Sequence, residues 1–180
     1  DKETTGLLVV AKTLKAHTSL VEQLQEKTAY REYEAIVTGV MTGGGKVDAP
    51  IGRHPTIRTK QAVTHSGKPA VTHYRVLERF RGHTYIKVQL ETGRTHQIRV
   101  HMAYIQYPLL GDPVYGQRLR LPKGATPELI DAMRRFKRQA LHARKLGVQH
   151  PGTGEYMEWE TPLPDDFKTM LQVLRNDAQS

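Results

Sequence analysis

Between Ala70 and Gln106 the apolar residues change period once, and that change limits the folds open to the chain. Residues 70–80, AVTHYRVLERF, and 83–91, HTYIKVQLE, follow the two-residue repeat of a pleated strand. In the second of them Ile86, Val88 and Leu90 share a face. Arg81-Gly82 between them predicts a hairpin turn. The next segment, THQIRVHMAYIQ, spaces Ile98, Met102 and Ile105 at i, i+4 and i+7, the pattern of an amphipathic helix with Thr95 as its N-cap.

The flanking segments extend this alternation of strands and helices. GLLVV, 6–10, is apolar on both faces and predicts a buried strand. Residues 14–27 predict a helix with Leu20, Val21 and Leu24 on its inner side. In YREYEAIVTG, Tyr33, Ala35 and Val37 point one way and Glu32, Glu34 and Ile36 the other, which is strand periodicity. A helix near 127–135, strands over 140–149 and 155–160, and a last helix from about Pro164 complete the pass. Its buried stripe is Phe167, Met170, Leu171 and Leu174. Strands joined mainly by turns, with helices between some of them, predict an α+β fold whose sheet is mixed and largely antiparallel, with flanking helices. No repeat or linker divides residues 1–180, so one domain is expected.

Charge narrows the partner. Lys and Arg total 27 against 18 acids, a net charge of +9, and a surplus of that size suggests a polyanion such as nucleic acid. Residues 53–68 hold Arg53, His54, Arg58, Lys60 and Lys68 without one acid, and predict a mobile basic loop. Residues 117–145 hold nine Lys or Arg and only two acids. The sequence contains no cysteine, which excludes disulfides, thiolate metal sites and cysteine nucleophiles. No apolar run approaches the roughly 20 residues that span a bilayer.

LETGRTHQIRVHMA, 90–103, carries the chemistry. His96 and His101 are five apart and diverge by about 140° on a helix, so they are not the i, i+4 pair of a zinc helix. TGGGK, 42–46, lacks P-loop spacing. Arg94, just before a helix start, suits phosphate recognition; a solvated basic helix end is the plainer alternative. Arg99 lies about 100° from Ile98, at the edge of the apolar stripe, where a partly buried guanidinium needs an anion. Asp1, before two threonines, a glycine and the proposed strand, is a carboxylate that could meet it, although on the residues alone it is only a terminal one.

Three segments resemble the RluA-type pseudouridine synthases. DKETTGLLVVAK is similar to the family's catalytic motif, REYEAIV to its tyrosine motif, and LETGRTHQIRVHMAYIQYPLLGDPVYG to its third motif. The resemblance runs from Asp1 to about Pro164. It implies the pseudouridine synthase catalytic fold, with Asp1 as catalytic aspartate, Tyr33 as active-site tyrosine and Arg99 as the arginine paired with Asp1. Arg94, His96 and Gln97 would then face RNA at the mouth of the cleft, with Arg53, His54, Arg58 and Lys60 gripping phosphates. The family motif has His-Arg-Leu before the aspartate, so those residues, further strands and an S4-like domain in many members are expected upstream of this sequence. The implied reaction turns uridine into pseudouridine in RNA, with no cofactor or metal, and 23S ribosomal RNA is the expected substrate. The protein is expected to be a cytoplasmic monomer with no membrane partner. The other readings are a non-catalytic RNA-binding fragment, a synthase acting on tRNA, and an RNA-cleaving hydrolase using His96 and His101.

Overall fold

The computed structural model describes residues 1–180. In chain order the elements are β1 (Thr5–Gly6), α1 (Leu14–Gln25), β2 (Tyr30–Thr38), β3 (Gly45–Asp48), β4 (Ile51–Arg53), β5 (Gln61–Val63), β6 (Val71–Arg79), β7 (His83–Leu90), α2 (Gln97–Tyr104), α3 (Pro127–Arg135), β8 (Leu141–Gln149), β9 (Tyr156–Glu160) and α4 (Asp165–Ala178). Seven strands form one sheet in the order β1-β8-β2-β7-β6-β3, with β9 also on β8. Only the β1–β8 pairing is parallel. The fold is α+β with a mixed, mostly antiparallel sheet, as the alternation predicted.

The sheet is covered on both faces. Ala35, Val37, Ile86 and Val88 pack against Ile98 and Met102 of α2. On the opposite face, Ile36 and Tyr85 meet Leu129 and Met133 of α3 and Phe167, Met170, Leu171 and Leu174 of α4. Central strands therefore alternate between two apolar cores, and the expected stripe of the last helix is fully buried. Thr126 caps α3 by accepting from the Leu129 N–H at 3.2 Å, and Pro164 sits at the N-cap of α4, one position before the helix.

Four expectations need correction. Residues 6–10 are not a buried strand: pairing stops after Gly6, and Leu8 is 84 % exposed. The cause is competition for one strand edge. β1 pairs with His142 and Ala143 of β8, but from Lys145 onward that edge belongs to β9. Helix α1 exists, yet its inner residue is Gln23, while Leu24 is exposed. The Gln23 amide donates to the Gln149 carbonyl and accepts from the Gln149 N–H, both at 2.8 Å, and so extends the end of β8. The 53–68 segment is partly ordered as a ribbon, with β4 and β5 paired antiparallel. The N-cap of α2 is His96, not Thr95.

Helix α2 is also more buried than an amphipathic stripe implies. Six of its residues, from Gln97 to Met102, are buried. The β4–β5 ribbon is the reason: Val100 packs with Ile51 on the side away from the sheet. His101 is fully buried there, with Nδ1 2.7 Å from the Thr72 hydroxyl and Nε2 2.8 Å from the Ala49 carbonyl. It cannot partner His96 in acid–base chemistry.

Candidate active site

The N-terminal turn is tied to the sheet edge by side chains. Gln139 donates to the Lys2 carbonyl at 2.8 Å and to the Thr4 hydroxyl at 3.1 Å. Gly6 has φ +105°, and a Cβ there would collide with the Ala143 carbonyl. Its glycine therefore serves close approach to β8 rather than to a ligand. These ties bring the Asp1 carboxylate to the start of α2, with its side chain 19 % exposed.

Asp1 Oδ2 lies 3.8 Å from Arg99 Nη1, and Oδ1 lies 3.8 Å from His96 Nε2. The three are brought together, but the tight partner of Arg99 is Asp112. Arg99 Nε donates to Oδ2 at 2.8 Å and Nη2 to Oδ1 at 2.9 Å, a two-pronged pair between buried groups. Asp112 Oδ1 also accepts the N–H groups of Val114 and Tyr115 at 2.9 and 3.0 Å. Burial alone would raise the Asp112 pKa. The bonds from Arg99, Tyr115 and Val114 outweigh it and hold the pKa below the ordinary 3.8. Arg99 is thereby fixed with Nη1 free to face Asp1.

Tyr115 completes this support. Its ring lies under the Arg99 guanidinium, 5.0 Å from centroid to Cζ. Its hydroxyl accepts from the Gln61 N–H at 2.9 Å and sits 2.7 Å from His96 Nδ1. The Tyr115 hydroxyl and His96 Nδ1 share one hydrogen bond, which orients the ring with Nε2 toward Asp1. Burial first, then the Arg99 charge, pushes the His96 pKa down, so the ring is neutral near pH 7. His96 has φ 57°, a left-handed conformation that costs a non-glycine residue about 1–3 kcal/mol. Such strain sits here at a residue that, like Arg99, joins Tyr115 to Asp1.

Asp1, Tyr33, Arg31, Arg94, His96 and Gln97 border a cleft of about 170 Å³. Tyr33 reaches it from β2, next to a register shift that leaves Arg144 of β8 without a partner on β2. Burial raises its phenol pKa, with the Arg31 charge opposing. Gln97 differs from the RNA-facing role expected of it. It is buried, and its amide is saturated by the Val71 carbonyl, the Thr72 and Thr92 hydroxyls and the Arg94 N–H, at 2.8–3.0 Å. Its work is to hold the 92–97 turn.

The basic residues divide in the same way. Arg94 donates Nε to the Pro69 carbonyl at 2.8 Å and borders both the cleft and an adjoining hollow of about 510 Å³ shared with Arg53 and Lys68. Arg53, Arg58, Lys60 and Arg94 make no ion pair within 4.0 Å, so their charge is uncompensated. His54 instead spends Nδ1 on the N–H groups of Thr56 and Ile57 at 3.2 and 3.1 Å, stabilising the turn. Further along, Arg138 pairs with Asp166 and Arg144 with Glu34. Arg118, Arg120, Arg134 and Lys137 stay unpaired around another hollow of about 340 Å³.

Sequence reasoning missed Asp112 and Tyr115. A signal existed, because Asp112 is the only carboxylate between Glu91 and Glu128 and so the only local one for Arg99.

Comparison with known proteins gives a consistent set of relatives. The family model described as RNA pseudouridylate synthase matches residues 1–104. A protein of Pseudomonas aeruginosa named ribosomal large subunit pseudouridine synthase D is 62% identical over 180 residues, 100% of this chain and 56% of its own length. The protein of that name from Escherichia coli K12 is 59% identical over 179 residues, 99% of this chain and 55% of its own. The chain thus spans about half the length of the curated relatives it matches. Among solved structures, human RNA pseudouridylate synthase domain containing 4 superposes with a TM-score of 0.75 at 28% identity, over 97% of this chain and 73% of that one. Human RNA pseudouridylate synthase domain containing 1 gives 0.67 at 25%, over 92% and 74%.

Proposed function

Because the chain belongs to the RNA pseudouridylate synthase family, we propose that it isomerises uridine to pseudouridine in RNA of the large ribosomal subunit. One observation carries the reading: the Asp1 carboxylate stands 3.8 Å from a guanidinium that Asp112 has already fixed, in the cleft that Tyr33 borders. That arrangement supplies an oriented carboxylate at a site for a single base. Asp1, Tyr33 and Arg99 are the proposed catalytic residues, and residues 1–180 are read as one catalytic domain.

The target uridine leaves its stack to enter the cleft. The bond from ribose C1′ to N1 breaks, with Asp1 either attacking C1′ or taking the 2′ proton. The base turns and C5 bonds to C1′ as the Asp1–C1′ bond breaks or, on the other route, as Asp1 returns its proton to C2′; the C5 proton is then lost while N1 gains one. The base is its own leaving group and returning nucleophile, so no cofactor enters the balance. Tyr33 stacks on the uracil and assists loss of the C5 proton. Arg53, Arg58, Lys60 and Arg94 meet the surrounding phosphates.

The names of the relatives favour ribosomal over transfer RNA, and a ribosomal substrate favours the cytoplasm. No helix is long and apolar enough to cross a membrane. A monomer is the proposed working form. Tritium release from C5-labelled uridine tests the reaction, with ribosomal and transfer RNA compared in parallel. Release from large-subunit RNA is expected; release from neither would reject the reading.

A further inference from the structure

The fold half-buries Arg31 and gives it no partner. It stands on β2 two positions before Tyr33, so both side chains lie on the strand face that carries Ala35 and Val37. Its Nε is sealed from solvent and meets no acceptor. No carboxylate lies within 4.0 Å of its guanidinium. A Cβ at Gly93 would collide with Nη1, so the glycine is what lets the guanidinium reach the turn before α2. Burial lowers its pKa, with Tyr33 acting weakly the other way.

A guanidinium partly withdrawn from water, with one nitrogen sealed and no acceptor, is favoured by a neighbouring anion. The chain supplies none here, so a ligand can. Arg99 is committed to Asp112 by two nitrogens, while Arg94 spends only Nε, on the Pro69 carbonyl, and keeps its charge uncompensated at the rim. Arg31 presents its whole fork unspent to the space that Asp1 and Tyr33 border. A uracil carbonyl would satisfy a hydrogen bond but leave the charge uncompensated. A phosphate satisfies both, in the planar geometry an arginine fork matches.

We infer that Arg31 is the phosphate anchor of the cleft, clamping a backbone phosphate beside the flipped uridine so that C1′ stands over Asp1. This rests on the proposed isomerisation and makes Arg31 a positioning residue.

The test replaces single phosphates by neutral methylphosphonates around the target uridine, in a fragment of large-subunit ribosomal RNA that the intact wild-type protein converts. Affinity is read by filter binding, and KM and kcat by tritium release. For the wild type, one position should weaken binding by about tenfold to a hundredfold, the worth of a charged hydrogen bond. Arg31→Gln should weaken the unmodified RNA by a similar factor and show no further loss at that position, while Arg31→Lys regains part of it. If Arg31→Gln keeps every methylphosphonate sensitivity of the wild type, the anchor is elsewhere and the inference falls. Without RNA, Arg31→Gln should melt at or above the wild type, because a half-buried charge with no carboxylate partner is removed. A variant that unfolds would show that the fold itself holds Arg31, and would equally overturn the inference. Wild-type protein that converts no RNA would reject the isomerisation reading and this inference with it; an active wild type with an insensitive Arg31 rejects only the anchor.

Discussion

Arg99→Ala should unfold the protein more readily as well as stop catalysis, and the geometry sets the size. Arg99 is 4% exposed and Asp112 7%, with two hydrogen bonds between them at 2.8 and 2.9 Å. Removing one member leaves the other charge buried and alone, which typically costs about 3–5 kcal/mol. For a chain of this length that is a fall in Tm of roughly 6–20 °C. Asp112→Ala should cost as much, because it also orphans the Val114 and Tyr115 N–H groups. The double variant Arg99→Met with Asp112→Leu should recover much of the loss while remaining inactive, since the desolvation penalty goes with the pair. Thermal melts and urea titrations of the wild type, Arg99→Met, Asp112→Leu and the double variant form the cycle. The sign with pH follows from the depressed Asp112 pKa: the stabilisation is complete above the ordinary 3.8 and is lost as pH falls through the lower folded-state value. Single variants melting within a degree or two of the wild type, or additive losses in the double variant, would refute the reasoning.

Asp1→Asn should abolish tritium release and leave RNA affinity within a few-fold, because an amide is neither nucleophile nor base; substantial residual turnover would remove Asp1 from the chemistry. Arg53→Ala and Arg94→Ala should each flatten the slope of log affinity against log salt by roughly 0.7–0.9, read by filter binding at several salt concentrations. His83 is fully buried with neither ring nitrogen hydrogen-bonded, and burial pushes its pKa down to about 4 from 6.5. The unfolded chain therefore takes up the proton first as pH falls. Stability should drop between pH 6.5 and 4 by up to about 3 kcal/mol, and melts of His83→Leu should show a shallower dependence.

Periodicity made the sheet legible. The alternation of Tyr33, Ala35 and Val37, and of Ile86, Val88 and Leu90, placed those residues on the face that packs against α2. It was silent on which strand edges are taken, so Leu8–Val10 looked buried although β9 occupies the edge they would need. Helical spacing found Arg99 but underestimated its burial, because the β4–β5 ribbon covers α2 from the other side. Resemblance then drew attention to Asp1 and away from Asp112, which lies 13 residues along from Arg99 in an apparent turn. Gln97 and His54 stood among basic residues in sequence, yet Gln97 is spent inside the protein and His54 Nδ1 on its own surface turn. Arg31 shows the limit most plainly: strand alternation gives the face a side chain occupies but not whether a partner waits there.

The central claim is that the Asp1 cleft isomerises uridine. The most direct measurement digests large-subunit ribosomal RNA to nucleosides after incubation with the intact protein, and separates them by chromatography. Uridine should fall and pseudouridine rise by the same amount, with RNA mass and length unchanged and no conversion by Asp1→Asn. RNA that is bound but yields no pseudouridine, or that is cut, would contradict it.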